Sequence, residues 1–185
     1  MREMIFRGKS IGLKDAGCWV HGFYAQLNDG LRPDWLRHFI LTGKLHYNDY
    51  NGKEDICKSE IDPETLGQYT GLKDRNGKRI FEGDILQVTH LDGVEHCAVE
   101  FGLFEPFSSN RSKAVVGFYL YWASDKGKYN KYANLCYWLE ERDAVLVGNI
   151  YDNPELMEPK KICPATKRVC CECKPGGPCA EVVKE

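Results

Sequence analysis

Two strand-like runs flank a turn signal between residues 85 and 101: Ile85-Leu86-Gln87-Val88-Thr89-His90-Leu91, then Asp92-Gly93, then Val94-Glu95-His96-Cys97-Ala98-Val99-Glu100-Phe101. Residues that favour strands, β-branched ones among them, recur in both runs. An Asx-Gly pair suits the two central positions of a type I′ turn, where both φ angles are positive. This stretch therefore predicts a β-hairpin, in which Leu91 pairs with Val94, His90 with Glu95 and Thr89 with His96.

Similar turn signals recur along the chain and favour a protein built from hairpins. Three more Asx-Gly pairs are Asp29-Gly30, Asn51-Gly52 and Asn76-Gly77. Helical signals are short, since Asp62-Pro63 and Asn153-Pro154 each place a capping residue before a proline. The predicted fold is mostly β, an antiparallel barrel or sheet built from hairpins, with one or two very short helices. The other strand-like runs are Met4–Arg7, Cys18–Ala25, Trp35–Leu41, Ala114–Trp122, Leu135–Leu139 and Val145–Ile150.

The aromatic residues divide the chain into two parts. Every Phe, Trp and Tyr lies at or before Tyr151, whereas five of the eight prolines follow it. A segment without aromatic residues buries too little apolar area to offset the entropy of ordering it. We therefore expect a β-rich domain over residues 1–157 and a Cys- and Pro-rich tail over residues 158–185.

Composition excludes some classes of partner and compartment. The net charge of −2 excludes bulk electrostatic capture of nucleic acid or of an anionic membrane, although it permits a local basic patch. No run approaches the ~18 apolar residues of a membrane span. The first seven residues carry charges where a signal peptide would be apolar. A cytosolic location is expected, and structural disulfides are not.

The cysteines pose two separate questions. Four of them, Cys18, Cys57, Cys97 and Cys136, lie among apolar or strand-like neighbours, and we expect them to be small buried apolar residues. In the tail, Cys170 and Cys173 form a C-x-x-C pair that can chelate zinc. The irregular spacing of the tail cysteines favours a reduced, flexible or adventitiously metal-binding tail, so we expect no cofactor and keep a small zinc site as the alternative. The candidate zinc ligands are Cys163, Cys170, Cys173 and Cys179.

No catalytic arrangement is visible, and we expect the protein not to be an enzyme. An offset of three along a strand sends Cys18 and His21 to opposite faces, which disfavours a Cys–His dyad. In the predicted hairpin His90 and His96 also point to opposite faces, so they cannot share a metal ion. The carboxylates of residues 140–143 lie beside Arg142 and are interpreted as a solvated turn, whereas Glu82-Gly83-Asp84 is expected to bend the chain into the next strand.

Two basic stretches support an alternative function in nucleic-acid binding. Small β-barrels grip single strands with basic loops and exposed aromatic residues. A loop that only increases solubility would explain the same residues. The candidate contacts are Lys73, Arg75, Lys78, Lys126, Lys128 and Tyr129.

Three stretches of the sequence, in this order, carry a resemblance to a known family. The first is Met1-Arg2-Glu3-Met4-Ile5-Phe6-Arg7 with Trp19-Val20-His21-Gly22-Phe23-Tyr24. The second runs from Ile61 to Ile85 and includes Tyr69-Thr70-Gly71-Leu72-Lys73-Asp74-Arg75-Asn76-Gly77-Lys78. The third is Val147-Gly148-Asn149-Ile150-Tyr151-Asp152-Asn153-Pro154-Glu155-Leu156. Together they resemble the YopX family of phage and prophage proteins, although residues 26–59 match the family poorly and the tail lies beyond its usual end.

The resemblance implies a mostly β fold, a phage or prophage origin and expression in the cytoplasm of a bacterial host. It implies no catalytic residues. Its motif is open to two interpretations, a folding signature of turns and paired strands or a shared binding surface. We expect a non-enzymatic phage accessory protein that contacts a host or phage protein or a second copy of itself. The alternative is a small β-barrel that binds single-stranded nucleic acid.

Overall fold

The computed structural model describes residues 3–28, 30, 35–48, 52–90, 93–104, 114–122 and 135–158. These residues form strands, one α-helix and two 3₁₀ helices, at Pro63–Thr65 and Pro154–Met157. The tail, residues 159–185, lies outside the described residues, and the division at residue 157 stays a prediction. The longer elements are β1 (Phe6–Lys9), β2 (Trp19–Leu27), β3 (Arg37–Asn48), β4 (Lys53–Glu60), β5 (Gly67–Lys73), β6 (Arg79–Phe81), β7 (Asp84–His90), β8 (Gly93–Phe104), β9 (Val115–Trp122), α1 (Leu135–Glu141) and β10 (Val145–Asn149).

The strands form two antiparallel sheets, which confirms the predicted mostly β fold. A six-stranded sheet has the order β4-β3-β2-β1-β5-β6, and a four-stranded sheet has the order β10-β7-β8-β9. As far as the structure describes the chain, both sheets are open, so the sheet rather than the barrel is the correct form of the prediction. Because β6 leads through Glu82-Gly83 into β7, that short turn carries the chain from one sheet to the other.

The predicted hairpin of residues 85–101 is present, but its register differs by two residues. His90 pairs with Gly93 and Thr89 with Val94, so the predicted pairing of His90 with Glu95 is wrong. His96 lies opposite Gln87. A shift of two residues leaves the same residues on the same faces, so the apolar pattern is compatible with both registers. Gly93 has a φ of 135°, away from the ~57° of the left-handed helical region, and it lies within β8 instead of the turn.

The other three Asx-Gly pairs fall between antiparallel neighbours, as predicted. They lie in the connections β2–β3, β3–β4 and β5–β6. The poorly matching residues 26–59 contain all of the long hairpin of β3 and β4 except its last residue, Glu60. Its second strand escaped the sequence analysis because five of its eight residues are charged.

The predicted strand at Leu135–Leu139 is wrong, because these residues begin α1. Leu135 and Trp138 are each 2% exposed, and a spacing of three residues places them on one face of a helix. The Trp138 ring packs edge-on against Trp122 of β9, with 4.9 Å between ring centroids. This face therefore covers the core of the four-stranded sheet, which includes Leu86, Val88, Cys97, Val99 and Leu120.

The prediction of four buried cysteines is correct only for Cys97. The Cys97 side chain is fully buried, whereas Cys57 is half-buried and Cys18 and Cys136 are exposed. Cys18 lies outside the paired strands, just before β2, and Cys136 is an exposed residue of α1, next to the buried Leu135.

Both short helices begin where the prolines predicted. Asp62 caps the first, since its Oδ1 accepts a hydrogen bond of 3.0 Å from the Glu64 backbone N–H. Pro154 opens the second, but the Asn153 side chain makes no capping hydrogen bond there.

Candidate functional site

The two sheets meet at Arg7, a residue that the sequence analysis did not single out as a candidate. Arg7 Nη1 lies 2.6 Å from Asp84 Oδ1, and Nη2 donates to the Glu82 carbonyl oxygen at 3.2 Å. The guanidinium carbon lies 4.6 Å from the centroid of Trp19 and 5.0 Å from that of Phe81. Arg7 is 7% exposed and Asp84 only 1%, so the ion pair is shielded from water.

Asp84 is buried at the start of β7, directly after the bend that the sequence predicted at Glu82-Gly83-Asp84. Its Oδ2 accepts a hydrogen bond of 2.7 Å from the Phe81 backbone N–H. Burial raises the pKa of Asp84, and the Arg7 guanidinium and the Phe81 N–H offset part of this rise. The available signal in the sequence was the position of this carboxylate, directly before the apolar residues Ile85 and Leu86, which are fully buried.

A second set of contacts between the sheets centres on Asp152. Its Oδ2 accepts hydrogen bonds from Trp19 Nε1 at 2.7 Å and Asn149 Nδ2 at 2.8 Å, and its Oδ1 lies 2.5 Å from Lys9 Nζ. The hydrogen bonds from Asn149, Lys9 and Trp19 lower the pKa of Asp152 to about 2. All these groups are engaged with one another, so the cluster serves to join the sheets.

The three stretches that carry the family resemblance converge at this junction. Arg7 and Trp19 come from the first, Asp84 from the second and Asp152 from the third. Their mutual contacts favour the interpretation of the motif as a folding signature.

A cavity of about 260 Å³ lies next to the turn Glu82-Gly83. Its wall includes Glu100 of β8, Tyr121 of β9 and Tyr151. Burial, and then the charge of Glu100, raise the pKa of Glu82, while hydrogen bonds from backbone N–H groups oppose the rise. The cavity is otherwise lined mainly by apolar side chains.

The outer edge of β9 is a second candidate surface. No strand in the described ranges pairs with this edge. The strand reads Val-Val-Gly-Phe-Tyr-Leu-Tyr-Trp and contains neither a charged residue nor a proline. Val115, Val116 and Tyr121 are 41%, 65% and 50% exposed.

Half of the predicted nucleic-acid contacts lie within the described residues. Lys73, Arg75 and Lys78 are exposed in and beside the turn between β5 and β6. Asp74 holds this turn, since its Oδ1 accepts from the backbone N–H groups of Asn76 and Lys78, both at 2.9 Å. Lys126, Lys128 and Tyr129 lie outside the described residues.

The predicted metal ligands, Cys163, Cys170, Cys173 and Cys179, also lie outside the described residues, so a zinc site in the tail stays a prediction. Within the described ranges, no three His, Cys, Asp or Glu residues are grouped to hold a metal ion. None of the helices in that part of the chain is long and apolar enough to span a membrane.

One comparison with known proteins, the scan against family models, agrees with the resemblance. A family model described as YopX protein matches residues 36–158, more than half of the chain. The crystal structure of protein EF1440 from Enterococcus faecalis is similar at 22% sequence identity and a TM-score of 0.41, covering 85% of this chain and 100% of that one. A search of curated proteins gives no significant match. On the strength of the family model, the chain belongs to the YopX family.

Proposed function

We propose that this protein is a non-enzymatic phage or prophage accessory protein that acts through protein contacts and associates with a second copy through the edge of β9. It acts in the cytoplasm of the bacterial host and needs no resident cofactor in its β-rich domain. The observation that carries the proposal is the long, uncharged edge of β9. Support for a non-enzymatic role comes from Arg7, Asp84 and Asp152, whose charged groups contact one another or neighbouring side chains that join the sheets.

The other edge strands carry the features that discourage pairing with another chain. Charged side chains, short strands and bulges are the usual protections of an open edge. β4 has five charged residues, β6 has three residues in all, and β10 is short and has a register shift between Leu146 and Gly148. β9 has eight residues, pairs with β8 without a shift and has none of these protections.

A second copy is the occupant that the chemistry of β9 fits. Two copies related by a two-fold axis would pair β9 with β9, antiparallel, so the same residues meet from both sides. Because the strand is uncharged, this pairing brings no like charges together. The exposed Val115 and Val116 side chains would lose contact with water, which favours association.

The experiment is a measurement of molar mass by light scattering after size-exclusion chromatography over a range of concentrations. We expect a dimer for the wild type and a monomer for Val115→Lys/Val116→Lys, because lysine on an edge strand opposes pairing. The matched control is Leu45→Lys/Ile56→Lys, an exposed apolar pair on β3 and β4 at 63% and 53% exposure, which should remain dimeric. A wild type that stays monomeric at ~100 µM would refute self-association, because this concentration is well above the micromolar dissociation constant of a weak but specific interface.

The turn between β5 and β6 supports a second candidate function, the binding of single-stranded nucleic acid. Because Asp74 is 4% exposed and bonded to the backbone, the turn presents Lys73, Arg75 and Lys78 to solvent. Cationic contacts of this kind weaken as salt displaces them from phosphates.

A fluorescence-anisotropy titration with a labelled single strand tests this candidate at several salt concentrations. Lys73→Glu/Arg75→Glu/Lys78→Glu should weaken binding, whereas Lys14→Glu, an exposed lysine between β1 and β2, should not. The absence of any anisotropy change at about 50 mM salt excludes this function.

A further inference from the structure

The cavity beside Glu82-Gly83 brings together side chains from distant parts of the chain. Glu82 comes from the turn between the sheets, Glu100 from β8 and Tyr121 from β9, while Tyr151 and Met157 come from the end of the domain. At about 260 Å³ the cavity is smaller than the ~300–1,000 Å³ of sites for drug-sized ligands. It therefore suits a single side chain better than a nucleotide or a cofactor.

Two acidic residues, Glu82 and Glu100, line this cavity. No lysine or arginine of the described residues forms an ion pair with Glu82 or Glu100. Glu82 is half-buried, and the like charge of Glu100 adds to the cost of ionising it. Glu100 Oε2 accepts a hydrogen bond of 2.6 Å from Tyr119, which raises the pKa of that tyrosine to about 12 and leaves Oε1 available.

The rest of the wall is apolar and aromatic. The Tyr121 side chain is half-exposed at the cavity, and Tyr151 lies on its wall with its hydroxyl group already donated to the Glu64 carbonyl oxygen at 2.7 Å. Ala98, Ile150 and Met157 supply aliphatic surface. Long basic side chains combine an aliphatic stem with a cationic head, and cations are also attracted to aromatic faces.

We propose that this cavity binds a lysine or arginine side chain of a partner protein, with the aliphatic stem against Tyr121 and Met157 and the cation between Glu82 and Glu100. The cation supplies the charge that the two carboxylates lack, and a hydrogen bond to an ionised carboxylate is stronger than a neutral one. The inference rests on the proposed role in protein contact but not on self-association, because the cavity lies within one copy. It also gives the partner a defined chemistry, a basic side chain on an exposed segment.

The test uses a small probe, Nα-acetyl-lysine N-methylamide, titrated into ¹⁵N-labelled full-length protein and followed by NMR. We expect shifts concentrated on the amides of Gly83, Tyr121 and Tyr151, with a dissociation constant in the millimolar range. The neutral analogue, Nα-acetyl-norleucine N-methylamide, has the same stem without the cation and should bind about tenfold more weakly or not at all. The probe also binds a monomer, so failure of self-association and failure of this inference are distinguishable.

Variants locate the binding. Glu82→Gln and Glu100→Gln should each weaken lysine-amide binding about tenfold, while Glu140→Gln, an exposed carboxylate on α1, should leave it unchanged. Tyr121→Leu keeps the apolar wall but removes the ring and should weaken binding severalfold. Equal binding of the two amides, shifts centred elsewhere, or equal affinities for Glu100→Gln and Glu140→Gln would each overturn the proposal. Calcium chloride that shifts the same amides and competes with the probe would identify a metal site instead.

Discussion

Arg7 and Asp84 lie 77 positions apart in the chain, and their side chains form an ion pair of 2.6 Å that links β1 of one sheet to β7 of the other. Around this pair, Trp19 and Phe81 provide aromatic walls and Glu82 provides a carbonyl acceptor. Because both charges are almost fully buried, each depends on the other for the compensation of its lost hydration.

We expect Arg7→Met to lower the free energy of unfolding by about 3–5 kcal/mol, because Asp84 would remain buried without its cation. Arg79→Met is the matched control, since Arg79 forms an exposed ion pair of 3.2 Å with Glu3 and should cost about 0–1 kcal/mol. Urea unfolding measures both values. Adding Asp84→Leu to Arg7→Met should cost less than the sum of the two single changes. Equal effects of Arg7→Met and Arg79→Met would show that burial of the pair has no energetic role.

Gly77 and Gly83 have similar positive φ angles, but we expect substitution by alanine to lower the stability of the protein by different amounts. Gly77 has a φ of 77° and open space around it, so Gly77→Ala should cost about 1–2 kcal/mol from the left-handed conformation alone. Gly83 has a φ of 80°, and a Cβ there would lie 3.1 Å from Cε2 of Tyr151. Thermal unfolding should therefore show a larger loss for Gly83→Ala. Equal losses would mean that the Tyr151 ring moves aside at no cost.

Asp152 predicts a specific acid sensitivity. Its pKa in the folded protein is lowered to about 2 from the usual 3.8 of an aspartate, so the folded state favours the ionised form. The stability it contributes is present above pH 3.8 and is lost as the pH falls towards 2. The gain is about 1 kcal/mol or less, because the carboxylate is well exposed.

Unfolding midpoints measured from pH 5 to pH 2 check this expectation. Asp152→Asn should lower stability at pH 5 and reduce its loss on acidification, whereas Asp55→Asn, an exposed carboxylate on β4, should leave the slope unchanged. A wild-type slope in the Asp152→Asn variant would contradict the assignment.

Thiol labelling should separate the cysteines of the domain. Burial raises the pKa of Cys97, and the thiolate is the reactive form, so Cys97 should resist N-ethylmaleimide in the folded protein. Cys18 and Cys136 are exposed and should be modified first. Peptide mapping by mass spectrometry reads out each site, and labelling in urea provides the control in which all sites react. Modification of Cys97 as fast as Cys18 in native protein would contradict the buried position.

The hairpin elements were predictable because their signals are local. Asx-Gly pairs and β-branched runs located most of the strands, and Asp62-Pro63 located a helix start with its cap. The register of β7 and β8 was not predictable, because a shift of two residues preserves which side chains are buried. The helix α1 was missed because its short apolar run fits the period of a strand as well as that of an α-helix. Only the packing of Trp138 on Trp122 distinguishes the helix from the strand.

The candidate sites depend on contacts that local patterns do not contain. The cavity is lined by both Glu82 and Tyr151, which lie in different turns. The local sequence around either residue does not predict that the two are close in space. In the sequence, Arg7 cannot be distinguished from any other arginine on a strand, because only the fold brings Asp84 next to it. β9 was predicted as a strand, but its position at a sheet edge follows only from the order of the strands.

The contact between Trp19 and Asp152 also bears on how the chain folds during synthesis. These residues are separated by 133 positions, and Arg7 likewise cannot form its ion pair until Asp84 has been synthesised. When only residues up to 144 have emerged from the ribosome, neither β10 nor Asp152 is present. The six-stranded sheet must then persist without the contacts that Asp152 makes with Lys9 and Trp19. A large sequence separation between contacting residues slows folding, because the entropy of closing the loop is lost before the contact forms. The last fourteen described residues, 145–158, thus act as the closing step, and a nascent chain that ends before them exposes the junction to chaperones and proteases.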